Sequence, residues 1–230
     1  MNIMPGILIV IDGTDGTGKA TQTQLLIETL KQKGFDVEMA DFPQYGKKSA
    51  GLVEEYLNGK YGSPKEVGPY RASVFYAVDR YDASFQIKKW LEEGKIVVSN
   101  RYVSANMGHQ TGKIKSEKER KKFLEWLDDF EFNLFGIPRP DINILLFSNP
   151  ELNQELVDKK GKRDYVDNQK RDIHEDDIGH LTEAREAFLY VAKKYDWIIV
   201  DCINHEKNEM RKKEDIHKEI WREIKNHLKQ

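Results

Sequence analysis

The chain has 230 residues, enough for one sizeable hydrophobic core, and 33% of them are charged, yet the formal net charge is only −2. A charge so near balance gives no basic surface for nucleic acid or an anionic membrane, so we expect neither as a partner. No apolar run approaches the roughly 20 residues that span a bilayer, and the N-terminus lacks the features of a signal peptide. The single cysteine, Cys202, cannot form an internal disulfide, which is typical of a cytoplasmic protein.

Five short apolar runs rich in β-branched residues predict five strands. They cover residues 7–11, 35–40, 96–99, 142–147 and 197–200. Segments with helical spacing separate these runs, and this alternation is typical of βαβ units. The pattern therefore predicts an α/β fold with a parallel sheet wrapped by helices, because strands covered on both faces are mostly apolar.

Four of the intervening segments have clear helical signals. They cover residues 22–33, 72–93, 116–132 and 213–228. The first two end at Gly34 and Gly94, which are usual helix ends, and the third opens with the possible capping box SEKE.

One interior region lacks apolar residues to drive packing. Residues 158–177 are strongly charged, and such a stretch between helices is either a mobile lid or a solvated excursion. We predict a lid over approximately residues 152–177 in a single domain that covers residues 1–230, since no linker or repeat interrupts the chain.

Residues 13–21 read GTDGTGKAT, close to the phosphate-binding P-loop pattern G-x-x-x-x-G-K-[ST]. The glycines let backbone N–H groups turn toward an anion, Lys19 supplies positive charge, and the following helix adds its dipole. Ala20 departs from the pattern because it offers no hydroxyl to Mg²⁺. A glycine-rich turn with an incidental lysine is the alternative, but the strand before the loop and the helix after it favour ATP binding. The predicted ATP-phosphate site comprises Gly13, Gly16, Thr17, Gly18, Lys19, Ala20 and Thr21.

Three further pieces follow the P-loop in a fixed order: FPQYG at 42–46, FYAVDR at 75–80 and NRYVSAN at 100–106. Together with the Pro-Asp strand segment at 136–150, they resemble the thymidylate kinase family of P-loop nucleoside-monophosphate kinases nearly end to end. The resemblance implies a five-stranded kinase fold in which ATP phosphorylates dTMP to dTDP, with Mg²⁺ as cofactor. It also implies a homodimer, since the family is commonly dimeric.

In this family, the aromatic residue of the YAVDR-type motif stacks on the pyrimidine and its arginine hydrogen-bonds the base. Here those positions are Tyr76 and Arg80, at i and i+4 on one helix, although a surface Tyr/Arg pair is the alternative. The resemblance places Tyr45 over the deoxyribose, where an aromatic ring selects deoxynucleotides. The implied acceptor site comprises Asp15, Phe42, Tyr45, Tyr76, Arg80, Arg101, Asn106 and His109.

The resemblance also implies catalytic roles. Arg101 matches the family's arginine for the substrate phosphate, and a guanidinium suits bidentate phosphate contact. Asp15 matches the acid near the monophosphate and would bind the metal through water, although an Asp-Gly turn is the alternative.

Some family members carry an arginine directly after this acid, whereas this chain has Gly16 there and a basic lid. Lid arginines would then offset the charge of the transferring phosphoryl group, although a solvated basic loop is the alternative. The implied catalytic set is Lys19, Asp15, Arg101, Arg163 and Arg171.

Three positions depart from the family pattern. Asn100 replaces the acid of the Asp-Arg-Tyr motif, Gln44 replaces an arginine that reaches the substrate phosphate, and Ala20 removes a hydroxyl. These departures motivate two alternatives: a kinase for another deoxynucleotide or a deoxynucleoside, and a catalytically impaired nucleotide-binding regulatory protein.

Overall fold

The computed structural model describes residues 5–149, 152 and 178–228. Its main sheet has five parallel strands in the order β2-β3-β1-β4-β5. These strands are β1 (Ile7–Asp12), β2 (Val37–Asp41), β3 (Ile96–Asn100), β4 (Ile142–Phe147) and β5 (Ile198–Asp201). The predicted fold class and all five predicted strands are confirmed.

Helices connect the strands and cover both faces of the sheet. They are α1 (Lys19–Gln32), α2 (Gly51–Leu57), α3 (Pro64–Glu92), α4 (Val103–Gly112), α5 (Glu117–Asp128), α6 (Ile178–Lys194) and α7 (Lys213–Ile224). A π-helical turn, Asp129–Leu134, follows α5, and a small antiparallel hairpin of β6 (Ile203–Asn204) and β7 (Glu209–Met210) follows β5.

The long helix α3 begins earlier than predicted because local capping signals outweigh the weaker apolar pattern there. The Ser63 hydroxyl accepts from the backbone N–H of Glu66, and the Glu66 carboxylate accepts from the backbone N–H of Ser63. Pro64 occupies the first helical position, where its missing N–H costs nothing. Gly68, with φ 75°, then kinks the helix.

Two apolar layers hold the sheet. Ile9 and Ile11 face α1 and α7, whereas Leu8 and Val10 face the layer formed with α3, α4, α5 and α6. These four side chains of β1 have no exposed surface, which explains why the strand is continuously apolar up to Asp12. The burial fixes β1 at the centre of the sheet, directly before the P-loop.

Close packing of α6 on α4 depends on Gly108. A Cβ at this position would lie 2.5 Å from the ring of Phe188, so a larger residue would push α6 away. The approach also brings Phe188 edge-on to His109, with ring centroids 5.1 Å apart. Helix α6 thereby supports the side of α4 that carries predicted site residues.

The lid predicted over residues 152–177 lies outside the described residues, apart from Leu152. Among the helices that the structure describes, none is long and apolar enough to cross a membrane.

Lys113 lies at the C-terminal end of α4, and its ammonium group is 3.1 Å from the hydroxyl oxygen of Tyr56. Burial lowers the pKa of this amine to about 7. In the unfolded chain the amine keeps its ordinary pKa near 10.4. Between these values the unfolded state binds more protons, so this residue penalises folding most below pH 7 and progressively less as the pH rises.

We predict that Lys113→Met raises the free energy of unfolding by up to about 4 kcal/mol near pH 6 and by much less near pH 10, because the neutral side chain removes that penalty. Urea denaturation at both pH values measures the effect. Lys115→Met is the control, since the Lys115 side chain is 77% exposed. Equal changes for Lys113→Met at both pH values would contradict the interpretation.

Candidate active site

A cavity of about 300 Å³ opens at the carboxyl ends of β1, β2 and β3. This is the edge of a doubly wound sheet where ligands commonly bind. The P-loop, the segment after β2, the middle of α3 and the first turns of α4 line it. The structure therefore brings together all eight predicted acceptor-site residues, which are Asp15, Phe42, Tyr45, Tyr76, Arg80, Arg101, Asn106 and His109.

The P-loop leaves β1 through a position that only glycine fits. Gly13 has φ 149°, and a Cβ there would lie 2.5 Å from the carbonyl oxygen of Leu146. Helix α1 then begins at Lys19, whose ammonium group donates to the carbonyl oxygen of Thr14 at 2.9 Å and lies 3.6 Å from Asp15. The lysine charge is thus held directly over the loop.

The seven predicted ATP-phosphate residues do not all face the cavity. Gly16, Gly18, Lys19 and Ala20 line it. Thr17 is buried, and its hydroxyl donates to the carbonyl oxygen of Thr14 at 2.9 Å, which braces the loop.

Thr21 lies on the exposed surface of α1, and Gly13 is buried behind the loop. Neither of these two residues lines the cavity, so Thr21 does not stand in for the hydroxyl that Ala20 lacks.

Arg101 is the centre of the charged network. It follows β3 with φ 66°, an uncommon value for a non-glycine residue, and its backbone N–H donates to Ile11 at 3.0 Å. Its Nη2 donates to Asp15 at 2.5 Å, and its Nη1 lies 3.6 Å from Asp12. Burial works against the guanidinium charge, but the two carboxylates outweigh it and raise the pKa of Arg101.

Nη1 of Arg101 also lies 3.2 Å from Nε2 of His109. Because a guanidinium can only donate, this contact requires Nε2 to be the unprotonated acceptor of a neutral imidazole. His109 therefore orients Arg101 from the side of α4.

Asp12 is a site residue that the sequence reasoning missed. It is buried, and it accepts hydrogen bonds from the backbone N–H of Gly13 at 2.8 Å and from the Ser104 hydroxyl at 2.7 Å. Burial raises the pKa of Asp12, opposed first by Arg101 and then by Lys19. The available signal was an acid that ends an apolar strand immediately before a P-loop.

Arg80 is 2% exposed and forms a buried ion pair with Glu131, which is 0% exposed. Its Nε donates to one Glu131 oxygen at 2.8 Å, its Nη2 donates to the other, and its Nη1 lies 3.4 Å from the carbonyl oxygen of Tyr102. Three of the five N–H groups of a guanidinium are thereby used. The alternative of a surface Tyr/Arg pair is wrong, because Arg80 is buried at the cavity wall.

Glu131 was not predicted as part of the site. It lies in the π-helical turn Asp129–Leu134, where the sequence pattern predicted a continuing α-helix. Such turns often occur at functional sites because they redirect one side chain out of the helical pattern. Here the redirected carboxylate fixes Arg80 from across the cavity wall.

Two amide side chains of α4 face the cavity. Asn106 donates to the carbonyl oxygen of Ser73 on α3 at 3.2 Å. Gln110, which was not predicted, is buried at the cavity, and within the described residues its Oε1 has no hydrogen-bond partner. Buried polar atoms are normally paired, so this oxygen is suited to accept a hydrogen bond from a ligand.

The segment after β2 places two aromatic residues at the cavity. Phe42 is buried and packs on Tyr102 with ring centroids 5.7 Å apart, whereas Tyr45 is exposed at the rim. Gln44 points away from the cavity, since its amide donates to the Asp79 carboxylate at 3.1 Å and to the Asp79 carbonyl at 3.2 Å.

The comparisons with known proteins agree with this geometry. The family model described as "Thymidylate kinase" matches residues 11–223. The chain belongs to the thymidylate kinase family. The thymidylate kinase of Mycobacterium tuberculosis is 31% identical over 170 residues, covering 72% of this chain and 78% of that protein. A probable thymidylate kinase from Thermococcus onnurineus is 31% identical over 221 residues, covering 93% and 95%.

The fold is also similar to a solved structure of thymidylate kinase from Candida albicans. The TM-score is 0.70 at 21% identity, covering 97% of this chain and 92% of that chain. As a member of the thymidylate kinase family, the chain is a phosphotransferase, and these comparisons give no support to the alternatives of another kinase or an impaired regulatory protein. The predicted lid arginines of this family member, Arg163 and Arg171, lie outside the described residues.

For this thymidylate kinase family member, we predict that Glu131→Gln lowers the free energy of unfolding by about 3 kcal/mol, because it leaves the buried Arg80 charge without a matching carboxylate. The variant also loses affinity for the acceptor, since Arg80 is no longer held at the cavity wall. Urea denaturation and acceptor titration measure the two effects.

The double variant Arg80→Met/Glu131→Leu separates stability from function. Replacing a whole buried ion pair by apolar residues is often nearly neutral for stability, so we expect recovery toward native stability without recovery of acceptor binding. Native stability of Glu131→Gln would contradict the role assigned to the ion pair.

Proposed function

We propose that this chain transfers the γ-phosphoryl group of ATP to dTMP, releasing ADP and dTDP, with Mg²⁺ as cofactor. The reaction would serve deoxynucleotide synthesis in the cytoplasm, in one kinase domain that covers residues 1–230. The observation that carries the proposal is a single cavity lined by Lys19 of the P-loop together with Tyr76 and Arg101. Direct transfer requires donor and acceptor phosphates to meet in one space.

The donor phosphates would lie on the P-loop. Gly16 and Gly18 have φ 83° and 88°, conformations that turn backbone N–H groups toward a bound anion. The N-terminus of α1 adds the positive end of its dipole, and Lys19 adds a full charge beside it. ATP is therefore the co-substrate that this side of the cavity suits.

The acceptor would occupy the other side, with its phosphate near Arg101 and its base near Tyr76. A guanidinium matches two phosphate oxygens, and Asp15 and His109 already fix its direction. The Tyr76 ring, on α3, offers a face for a pyrimidine. Arg80 and Gln110 supply a donor and an acceptor at the same wall, which suits the polar edge of thymine.

The transfer step needs little chemistry from the protein. A phosphate monoester oxygen of dTMP is already anionic near neutral pH, so it can attack the γ-phosphorus in line without a side chain acting as base. The bond from the γ-phosphorus to the β,γ-bridging oxygen breaks, and ADP leaves. Lys19 and Arg101 then act by position and charge, which is the main source of catalysis in phosphoryl transfer.

Magnesium fits the donor groups of the cavity. Mg²⁺ typically binds one or two carboxylates together with substrate phosphates and retains several waters. Asp15 lines the cavity, and we assign it to the metal through water. Within the described residues no group of three or more His, Cys, Asp or Glu forms a protein-only metal site, which suits an ion held mainly by nucleotide phosphates.

Lid arginines would complete the site. Gly16 leaves the position after Asp15 without a side chain, so the charge that develops on the transferring group must be offset from elsewhere. Arg163 and Arg171 are the proposed sources, and closure over the cavity would exclude water that otherwise hydrolyses ATP.

An aromatic surface supports a homodimer. The exposed ring of Tyr81 on α3 contacts the exposed ring of Phe85 and the partly buried ring of Phe135, with ring centroids 5.3 and 4.9 Å away respectively. Phe85 is 62% exposed, and Leu134, one residue before Phe135, is 73% exposed. Contiguous exposed apolar surface is typical of a protein–protein interface, and we assign this one to a second copy of the chain.

The native protein is expected to form dTDP from ATP and dTMP in the presence of Mg²⁺. Tyr76→Ala should raise KM for dTMP roughly 10-fold while KM for ATP stays unchanged, because stacking on an aromatic ring contributes about 1–3 kcal/mol per base. Steady-state kinetics with each substrate varied in turn measures the two KM values.

Tyr76→Phe is the matched control, since it keeps the ring and should keep the native KM for dTMP. A native KM in Tyr76→Ala would contradict the stacking role. Failure of the native protein to form dTDP would contradict the proposed function itself.

A further inference from the structure

Two side chains at neighbouring strand ends form a pair at the edge of the cavity. Asp41 ends β2 and Asn100 ends β3, and the two residues are direct partners in the parallel register. The Asn100 amide donates to the Asp41 carboxylate at 2.8 Å, and both residues line the cavity. The strand ends therefore hold a carboxylate at the phosphate site, positioned by a neutral amide.

Three carboxylates lie near the phosphate site, and they differ in whether a cationic side chain contacts them. Asp12 is buried beside Arg101, and Asp15 contacts both Arg101 and Lys19. Asp41 is an exposed residue whose carboxylate is partly dehydrated, and the groups that donate hydrogen bonds to it, the Asn100 amide and the backbone N–H of Phe42, are both uncharged. Its negative charge is consequently the one most able to act on a bound ligand.

The electrostatic setting of Asp41 favours a cation. Partial loss of hydration raises the pKa of the Asp41 carboxyl, while the Asn100 hydrogen bond, the charge of Arg101, the backbone N–H of Phe42 and the charge of Lys19 oppose this rise. A carboxylate with reduced hydration gains free energy from a nearby positive charge. Facing two phosphorylated nucleotides without a cation, the same carboxylate would repel them.

We propose that Asp41, held in place by Asn100, is a magnesium-positioning residue that hydrogen-bonds the water ligands of the nucleotide-bound ion. This inference rests on the proposed Mg²⁺-dependent transfer. In this chain Asn100, at the end of β3, replaces the acid of the family's Asp-Arg-Tyr motif. The proposal places a carboxylate at the end of the neighbouring strand β2 instead. Mg²⁺ suits such a contact because it gives up its waters reluctantly and is therefore bound partly through them.

The test uses Mn²⁺ as a paramagnetic probe of the metal site in complexes of the full chain with ADP. Asp41→Asn is expected to weaken Mn²⁺ binding to the ADP complex roughly 10-fold, the size of effect typical for an outer partner of a metal site. The affinity for ADP without metal should not fall, because the substitution removes only a negative charge. Electron paramagnetic resonance titration measures the metal, and calorimetry measures ADP.

Asp36→Asn is the matched control, since Asp36 precedes the same strand, carries a 71% exposed side chain and lies outside the cavity lining. It should keep native Mn²⁺ affinity. The exchange variant Asp41→Asn/Asn100→Asp returns one carboxylate to the pair from the adjacent strand and should recover most of the lost affinity. A purely structural role for the pair would leave Mn²⁺ affinity unchanged in Asp41→Asn.

The outcomes distinguish failure of the role proposed for Asp41 from failure of the proposed Mg²⁺-dependent transfer. Native Mn²⁺ affinity in Asp41→Asn, or no recovery in the exchange variant, overturns the role of Asp41 while leaving Mg²⁺-dependent transfer intact. If ADP does not increase Mn²⁺ binding to the native protein, the metal-dependent site fails, and the role of Asp41 fails with it. Weakened binding in Asp41→Asn with recovery on exchange supports the proposal.

Discussion

The site depends on one interaction, the Arg101 guanidinium held between Asp12 and Asp15. It joins the end of β3 to the end of β1 and the P-loop that directly follows it, so two segments distant in sequence share one charged centre. Arg101 reaches this position from a left-handed backbone conformation, which costs of order 1–3 kcal/mol for a non-glycine residue. The two carboxylates and the hydrogen bond to Ile11 hold it there, so the guanidinium that we propose for the acceptor phosphate is pre-organised before substrate binds.

The parallel sheet makes this arrangement possible. Because β1 and β2 both pair with β3 in parallel register, the residues Ile11, Asp41 and Asn100 lie side by side at the same edge. The residues at and just beyond each strand end therefore line one cavity, where the P-loop, the proposed acceptor-phosphate arginine Arg101 and the proposed metal-positioning residue Asp41 are neighbours. Apolar burial on both faces fixes the register and therefore fixes these relative positions.

The elements that depend on local sequence patterns, the strands and the phosphate loop, were predicted from the sequence. Continuous apolar runs located the strands, and the spacing of Gly13, Gly18 and Lys19 located the phosphate loop. The partners of those residues could not be predicted, because they are set by packing between distant segments. Glu131 meets Arg80 from 51 positions away and only through a π-helical turn, for which no sequence signal was apparent. The sequence does contain a signal for the earlier start of α3, the capping box at Ser63. The prediction relied on the apolar pattern instead and therefore began the helix at residue 72.

The departures from the family pattern leave Arg101 as the main cationic group assigned to the acceptor phosphate, since Gln44 is bound to Asp79 instead. The central claim is therefore that Arg101 makes this cavity a monophosphate site. The most direct measurement compares kcat/KM for dTMP and for thymidine with the native protein and ATP. Charge-assisted hydrogen bonds contribute about 1.5–3 kcal/mol each, so a bidentate contact predicts a preference for dTMP of at least about 100-fold. Equal use of thymidine and dTMP would contradict the account.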